Sequence, residues 1–68
     1  MKTVKFPGLV GEMARRGETR DYVAGLIGVT QSALWRRLTG ITEWTISEID
    51  ILCEHYGKDY YELFKNEK

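Results

Sequence analysis

Residues 28–40, GVTQSALWRRLTG, carry the signals for a turn, a helix start, a short helix and a helix stop, in that order. Gly28 suits the left-handed conformation that often ends a helix. Thr30 can cap the next helix by accepting a hydrogen bond from a backbone N–H one turn on. Leu34 and Leu38 are four residues apart, so they predict one inward-facing stripe. The final glycine predicts where this helix stops.

The opposite side of this helix lacks the Glu and Lys residues that a merely solvated surface helix more often carries. Glutamine, serine and arginine at the front of an exposed helix are the side chains that read base edges in the DNA major groove. An ordinary surface helix is the alternative interpretation. The residues predicted on the outer side are Gln31, Ser32, Trp35, Arg36 and Thr39.

Length and composition predict one small domain. A chain of 68 residues buries only about 60% of its unfolded surface, but 43% hydrophobic residues are enough for a core without metal or disulfide. Cys53 is the single cysteine and no Cys/His cluster has zinc spacing, so we expect a buried apolar residue there and not a reactive thiol. No apolar run approaches the roughly 20 residues that cross a bilayer, and no signal peptide is evident. We therefore expect a cytoplasmic protein without a membrane segment.

Charge is distributed unevenly along the chain, although the formal net charge is zero. Residues 1–40 contain seven Lys/Arg and three Asp/Glu, whereas residues 41–68 contain three and seven. The basic half includes the candidate reading helix and would face phosphates. The neutral total predicts modest affinity for nucleic acid and a shallow salt dependence for a monomer.

Two helices are predicted before this segment. Pro7 suits the first position of a helix, which we expect to end near Arg16. Thr19 is a good N-cap for the second helix. Gly25 costs about 1 kcal/mol relative to alanine in a helix, and the sequence offers no reason for it. The residues expected to face the core are Leu9, Val10, Met13, Ala14, Tyr22, Val23, Leu26 and Ile27.

Two more helices are predicted after it. Thr45 and Glu48 fit a capping box that opens the fourth helix, and residues 59–62 fit a similar start for the fifth. Trp44 is expected to cover the core, with a partner contact as the alternative. The signals predict an all-α fold of five short helices, with an arm at 1–6, a helix-turn-helix domain at 7–64 and a flexible tail at 65–68. The residues expected to face inward from the fourth helix are Ile46, Ile49, Leu52, Cys53 and Tyr56.

Residues 19–40, TRDYVAGLIGVTQSALWRRLTG, resemble the helix-turn-helix domain of the lambda-type phage repressor and Cro proteins and their small bacterial and phage relatives. The following run, EWTISEIDILCEHYG, is similar to the fourth helix of a small phage-type branch. The resemblance covers residues 9–64 and implies a lambda-repressor-like DNA-binding domain. The residues that match the family pattern without a gap are Thr19, Ala24, Gly28, Val29, Thr30, Leu34, Leu38 and Gly40.

The resemblance also implies roles for individual residues. Gln31 and Ser32 lie where the family makes its first base contacts, and glutamine can bind adenine with two hydrogen bonds. Arg36 would contact guanine or a phosphate. Trp35 replaces a small polar residue, and it could contact a thymine methyl group, stack, or lie in a protein interface. The implied phosphate contacts are Thr19, Arg20, Thr30, Arg37, Thr39 and the backbone of Gly40.

The sequence thus predicts a sequence-specific DNA-binding transcriptional regulator, of the phage or prophage repressor type, that binds double-stranded DNA as a homodimer. No acid/base pair or nucleophile constellation is evident, so no enzyme, cofactor, metal or small-molecule substrate is expected. His55, the only histidine, is expected to point away from Cys53.

A protein-binding helix-turn-helix module is the alternative function. It could be an antirepressor, an antitoxin-like protein or an oligomerisation partner that does not read DNA, with Trp35, Tyr60, Tyr61 and Phe64 as interface anchors. In the DNA-binding interpretation, the aromatic residues of the fifth helix are the expected dimer surface. The alternative there is that Leu63 and Phe64 simply complete the core.

Overall fold

The computed structural model describes residues 5–65, which form five helices without a β-strand. The predicted all-α fold of five short helices is confirmed. Residues 1–4 of the expected arm and residues 66–68 of the expected tail lie outside the described part. The helices are α1 (Pro7–Arg15), α2 (Arg20–Ile27), α3 (Gln31–Leu38), α4 (Ile46–Tyr56) and α5 (Tyr61–Lys65), the last a single turn with π-helical hydrogen bonding.

Local side-chain caps start four of the helices, as the sequence predicts. The Thr19 hydroxyl accepts a hydrogen bond from the Tyr22 N–H at 3.1 Å at the start of α2. The Thr30 hydroxyl does the same for α3, accepting from the N–H of Ala33 at 3.1 Å. Reciprocal capping boxes open α4 and the last helix, the first between Thr45 and Glu48 and the second across residues 59–62. Each cap satisfies backbone N–H groups that the helix itself leaves without a partner.

A three-residue connection, 28–30, joins α2 to α3. It can turn sharply because Gly28 adopts φ 74°, in the left-handed region that glycine enters without steric cost. The helix α2 packs against both α3 and α4, and α1 packs against α5. The core lies between these helices and buries Leu9, Met13, Val23, Ala24, Ile27, Leu34, Leu38, Leu52, Tyr56, Leu63 and Phe64.

Several residues predicted to face inward do not. Ala14, Tyr22 and Ile46 are exposed, and 79% of the Ile46 surface is accessible to solvent. Inward positions in α1 and α4 are taken instead by Glu12 and Glu48, both buried. A hydrophobic pattern cannot predict this, because each carboxylate is held by basic side chains that neutralise it. Val10, Leu26, Ile49 and Cys53 are partly buried against the core.

Aromatic residues from both ends of the described chain close one side of the core. The Trp44 ring packs edge-to-face on Phe6, with 5.9 Å between centroids, and on Phe64, with 5.1 Å. Trp44 therefore covers the core, as expected. Burial raises the pKa of the Cys53 thiol, which suits its expected role as an apolar residue and not as a reactive thiol.

Candidate nucleic-acid interface

The outer face of α3 presents the residues that the sequence analysis selected for base reading. Gln31, Ser32 and Arg36 are exposed, whereas Leu34 and Leu38 on the opposite side are buried. The separation follows from helix geometry, since each residue advances by about 100° around the axis. The three polar side chains line one shallow depression together with Trp35 of α3 and an arginine of α2, Arg20.

Arg20 lies against the indole of Trp35 across the connection between α2 and α3. Its guanidinium carbon is 4.9 Å from the centroid of the ring. Trp35 itself is only partly exposed, because it also packs against the core. The two residues are fifteen positions apart in the sequence, so their contact is not visible from the pattern of either helix.

The salt bridges divide the basic residues into two groups. The carboxylate of Glu12 forms salt bridges with three basic side chains, those of Arg15 at 2.5 Å, Arg16 at 3.7 Å and Lys58 at 3.8 Å. Each of these cations has an acidic partner in its own fold, although the single carboxylate offsets only one of the three charges. Within residues 5–65, the basic side chains that form no ion pair with a carboxylate are Lys5, Arg20, Arg36 and Lys65.

Arg37 forms hydrogen bonds inside the domain, whereas the resemblance implies that it contacts a phosphate. Its Nε and Nη2 atoms donate to the two carboxylate oxygens of Glu48 at 2.9 and 3.0 Å, and Nη1 donates to the Ala33 carbonyl at 3.1 Å. Burial alone would raise the pKa of Glu48, but the hydrogen bonds from Arg37 and Thr45 outweigh it and lower that pKa. Arg37 thus clamps α3 onto α4, with three of its five N–H donors bonded within the domain and its side chain only 13% exposed.

The implied phosphate contacts at the end of α3 are also occupied by the chain itself. The Thr39 hydroxyl donates back to the carbonyls of Trp35 and Arg36, at 3.0 and 3.3 Å. The Gly40 N–H donates to the Arg37 carbonyl at 3.2 Å. Neither group offers an unused donor to a phosphate in this conformation.

Hydrogen-bond donors remain available at the start of α2 and at the start of α3. Thr19 and Thr30 accept hydrogen bonds with their hydroxyl oxygens, so the hydroxyl hydrogens can still donate. Both residues are exposed, and Arg20 directly follows Thr19. A helix N-terminus also directs backbone N–H groups and partial positive charge outward.

Lys5 is a basic residue at the C-terminal end of α3 that no sequence signal singled out. Its backbone N–H donates to the Leu38 carbonyl at 2.8 Å, which fastens the chain before α1 to the end of α3. Its side chain lies over the α-carbon of Gly40, where a Cβ atom would collide with it. Gly40 has φ 85°, so both its conformation and this contact require glycine. The signal in the sequence was only a lysine in a short segment before the first helix.

A second polar cluster lies away from α3, around the carboxylate of Glu18. The Tyr56 hydroxyl donates to its Oε1 atom at 2.6 Å, and His55 Nε2 is 2.8 Å from its Oε2 atom. Burial alone would raise the pKa of Glu18, but these hydrogen bonds outweigh it and lower that pKa. The cluster joins the α1–α2 connection to α4, and no sequence pattern indicates it because Glu18 is 37 residues from His55 and 38 from Tyr56.

The expected anchors of a dimer or protein interface are only partly available. Leu63 and Phe64 are buried in the core of their own domain, so they complete that core and offer no surface to a partner. Tyr60 and Tyr61 remain exposed, the latter to 69%.

Across the described residues, no set of three or more His, Cys, Asp or Glu side chains is arranged to hold a metal ion. Among helices α1 to α5, none is both long and apolar enough to cross a membrane. Comparisons of this chain with models of protein families, with curated proteins and with solved structures found no match.

Proposed function

We propose that this chain is a sequence-specific DNA-binding transcriptional regulator that inserts α3 into the major groove. The observation that carries the proposal is the joint exposure of Gln31, Ser32 and Arg36 beside Arg20, with the leucine stripe of α3 turned to the core. These are side chains that recognise base edges, and α3 has eight residues. An α-helix with its side chains is about 10–12 Å in diameter, which suits a groove about 12 Å wide.

The internal ion pairs support the same assignment. Glu12 and Glu48 form ion pairs with the basic residues at the end of α1 and on the inner side of α3, whereas Arg20 and Arg36 have no acidic partner within residues 5–65. Positive charge that the fold does not balance therefore remains on the surface that carries the candidate base readers. This charge can pair with phosphates even though the net charge of the chain is zero.

The donors that remain available define a revised set of phosphate contacts. Thr19, Arg20 and Thr30 are retained from the sequence analysis, and Lys5 is added. Arg37, Thr39 and Gly40 are withdrawn, because Arg37 is a largely buried partner of Glu48 and the Thr39 hydroxyl and Gly40 N–H donate within the domain. In this proposal phosphate contacts orient α3, and contacts of its outer side chains to bases provide specificity.

We further propose that the protein acts as a cytoplasmic repressor of the lambda/Cro type, of phage or prophage origin, and binds as a homodimer without cofactor or catalysis. A single eight-residue helix offers few base contacts, and two half-sites about one helical turn apart would multiply the specificity. Tyr60 and Tyr61 are the exposed aromatic residues near α5 that remain for a dimer surface.

Selection of binding sites from random duplex DNA tests this proposal. On the selected site, Gln31→Ala and Arg36→Ala are each expected to weaken binding about 5- to 150-fold and to relax the preference at one base pair, since a good base contact is worth about 1–3 kcal/mol. Arg15→Ala is the matched control for Arg36→Ala, because it removes the same charge from an exposed position on α1. An equal effect of all three variants would refute base reading by α3.

The protein-binding alternative is supported by a different observation, the exposure of Tyr61 and Ile46. It predicts no duplex binding at about 50 mM salt and a stable complex with another protein, reduced by Tyr61→Ala. Selection without an enriched sequence, together with such a complex, would favour this module over the DNA-binding regulator.

A further inference from the structure

We infer that Trp35 does not read bases but is a positioning residue, which holds Arg20 where the guanidinium can bind a phosphate. The inference rests on the proposed DNA-binding function and assigns Trp35 a role within it. It concerns the one residue on the outer face of α3 whose chemistry does not match base-edge recognition, since an indole has a single N–H donor and no acceptor.

The contact between the two side chains carries the inference. The Arg20 guanidinium lies over the Trp35 ring at 4.9 Å, within the range of a cation–π interaction. Because part of the indole is buried against the core, the ring is a fixed platform. The side of the ring that Arg20 covers is not open to a base or to a thymine methyl group.

Stacking leaves the recognition chemistry of Arg20 intact. The N–H groups of a guanidinium lie in its plane and point outward from its edge, so a stacked arginine can still bind two phosphate oxygens at once. The ring also restricts the rotamers of the side chain, and less conformational freedom is then lost when the phosphate binds. Arg20 has no carboxylate partner within residues 5–65 that would compete for these donors.

A double-mutant cycle on the selected duplex tests the coupling between the two residues. Arg20→Ala and Trp35→Ala are each expected to weaken binding about 5- to 10-fold. Each should also make the slope of log K against log salt shallower by about 1, which corresponds to the loss of one phosphate contact. The double variant is expected to be little weaker than either single one. Trp35→Phe keeps a ring face and should retain most of the affinity and of the salt slope. Gln31→Ala should weaken binding but leave the salt slope unchanged.

Two results would overturn the inference. One is a Trp35→Ala variant with an unchanged salt slope and an altered base preference, which would make Trp35 a base reader. The other is a double variant whose loss of affinity equals the product of the losses in the two single variants, which would mean that the two residues act independently. Circular dichroism of each variant excludes loss of the fold, and the milder Trp35→Leu and Arg20→Gln pair, which also removes the ring face and the charge, repeats the cycle if the alanine variants unfold.

An NMR measurement without DNA separates this inference from the proposed function. Ring currents should shift the Arg20 δ-protons upfield in the wild-type protein, and Trp35→Leu should abolish the shift. Absence of the shift in a protein that binds its duplex would refute the stacking while the proposed function stands. Presence of the shift in a protein that binds no duplex would refute the phosphate role together with the proposed function.

Discussion

Replacement of Glu48 by glutamine is expected to destabilise the domain strongly, although it changes neither the size nor the hydrophobicity of the core. The carboxylate accepts two hydrogen bonds from Arg37, at 2.9 and 3.0 Å, and one from the Thr45 N–H at 3.1 Å. Glutamine can keep the oxygen that serves the cap, but its NH₂ group would face the second guanidinium donor. The arginine charge would then stay in place without its counter-charge.

The magnitude follows from the burial of the pair. The side chains of Arg37 and Glu48 are only 13% and 10% exposed, so the interaction is weakly screened by solvent. Removal of one partner from a buried pair costs about 3–5 kcal/mol, and loss of a hydrogen bond to a charged group costs about 1.5–3 kcal/mol. Because glutamine keeps part of the bonding, we expect about 2–3 kcal/mol. The whole domain should be stable by only about 3–10 kcal/mol.

Urea and thermal denaturation followed by circular dichroism at pH 7 measure this effect, which corresponds to a fall in melting temperature of about 10–20 °C. Glu62→Gln is the matched control. Glu62 accepts the same kind of cap bond, from the Asp59 N–H at 3.2 Å, but it is exposed and has no arginine partner. We expect a change below about 0.5 kcal/mol for this control. Equal effects of the two substitutions would refute the assignment of Arg37 and Glu48 as a buried structural pair.

Three further predictions concern backbone positions and acid stability. Gly25→Ala should stabilise the domain by about 1 kcal/mol, because its Cβ would meet no atom within 4 Å; a loss of stability in urea would contradict this. Gly8→Ala should destabilise it by more than about 1 kcal/mol, because the new Cβ would collide with the Glu62 carbonyl oxygen, and an unchanged urea midpoint would show that α5 can move away. The pKa values of Glu18 and Glu48 are lower in the folded protein than their usual value of about 4.5. The two carboxylates therefore stabilise the fold above about pH 4.5, and this contribution is lost as the pH falls through their pKa values in the folded protein. Urea midpoints measured from pH 7 to pH 3 should therefore decrease below about pH 4.5, and a flat profile would refute the contribution of both groups.

The sequence determined most of the local structure. Thr19, Thr30 and Thr45 each cap a helix through a backbone N–H three residues on, so the interaction lies within one short window of the chain. The pair Leu34 and Leu38 likewise defines the inward side of α3 by spacing alone, and the exposure of Gln31 and Arg36 on its outer side follows from the same periodicity. The fold class and the candidate reading face were accessible for this reason.

Only the tertiary structure decided which polar groups remain available on that face. The Arg37–Glu48 pair spans eleven residues and the Arg20–Trp35 contact fifteen, and each depends on how one helix packs against another. The hydrophobic pattern of a sequence indicates the period of a helix. It does not indicate which charged side chain takes an inward position or which distant residue pairs with it. Pairing of distant charges is a property of helix packing, and it determines which basic residues of this chain have no acidic partner and which already hold the fold together.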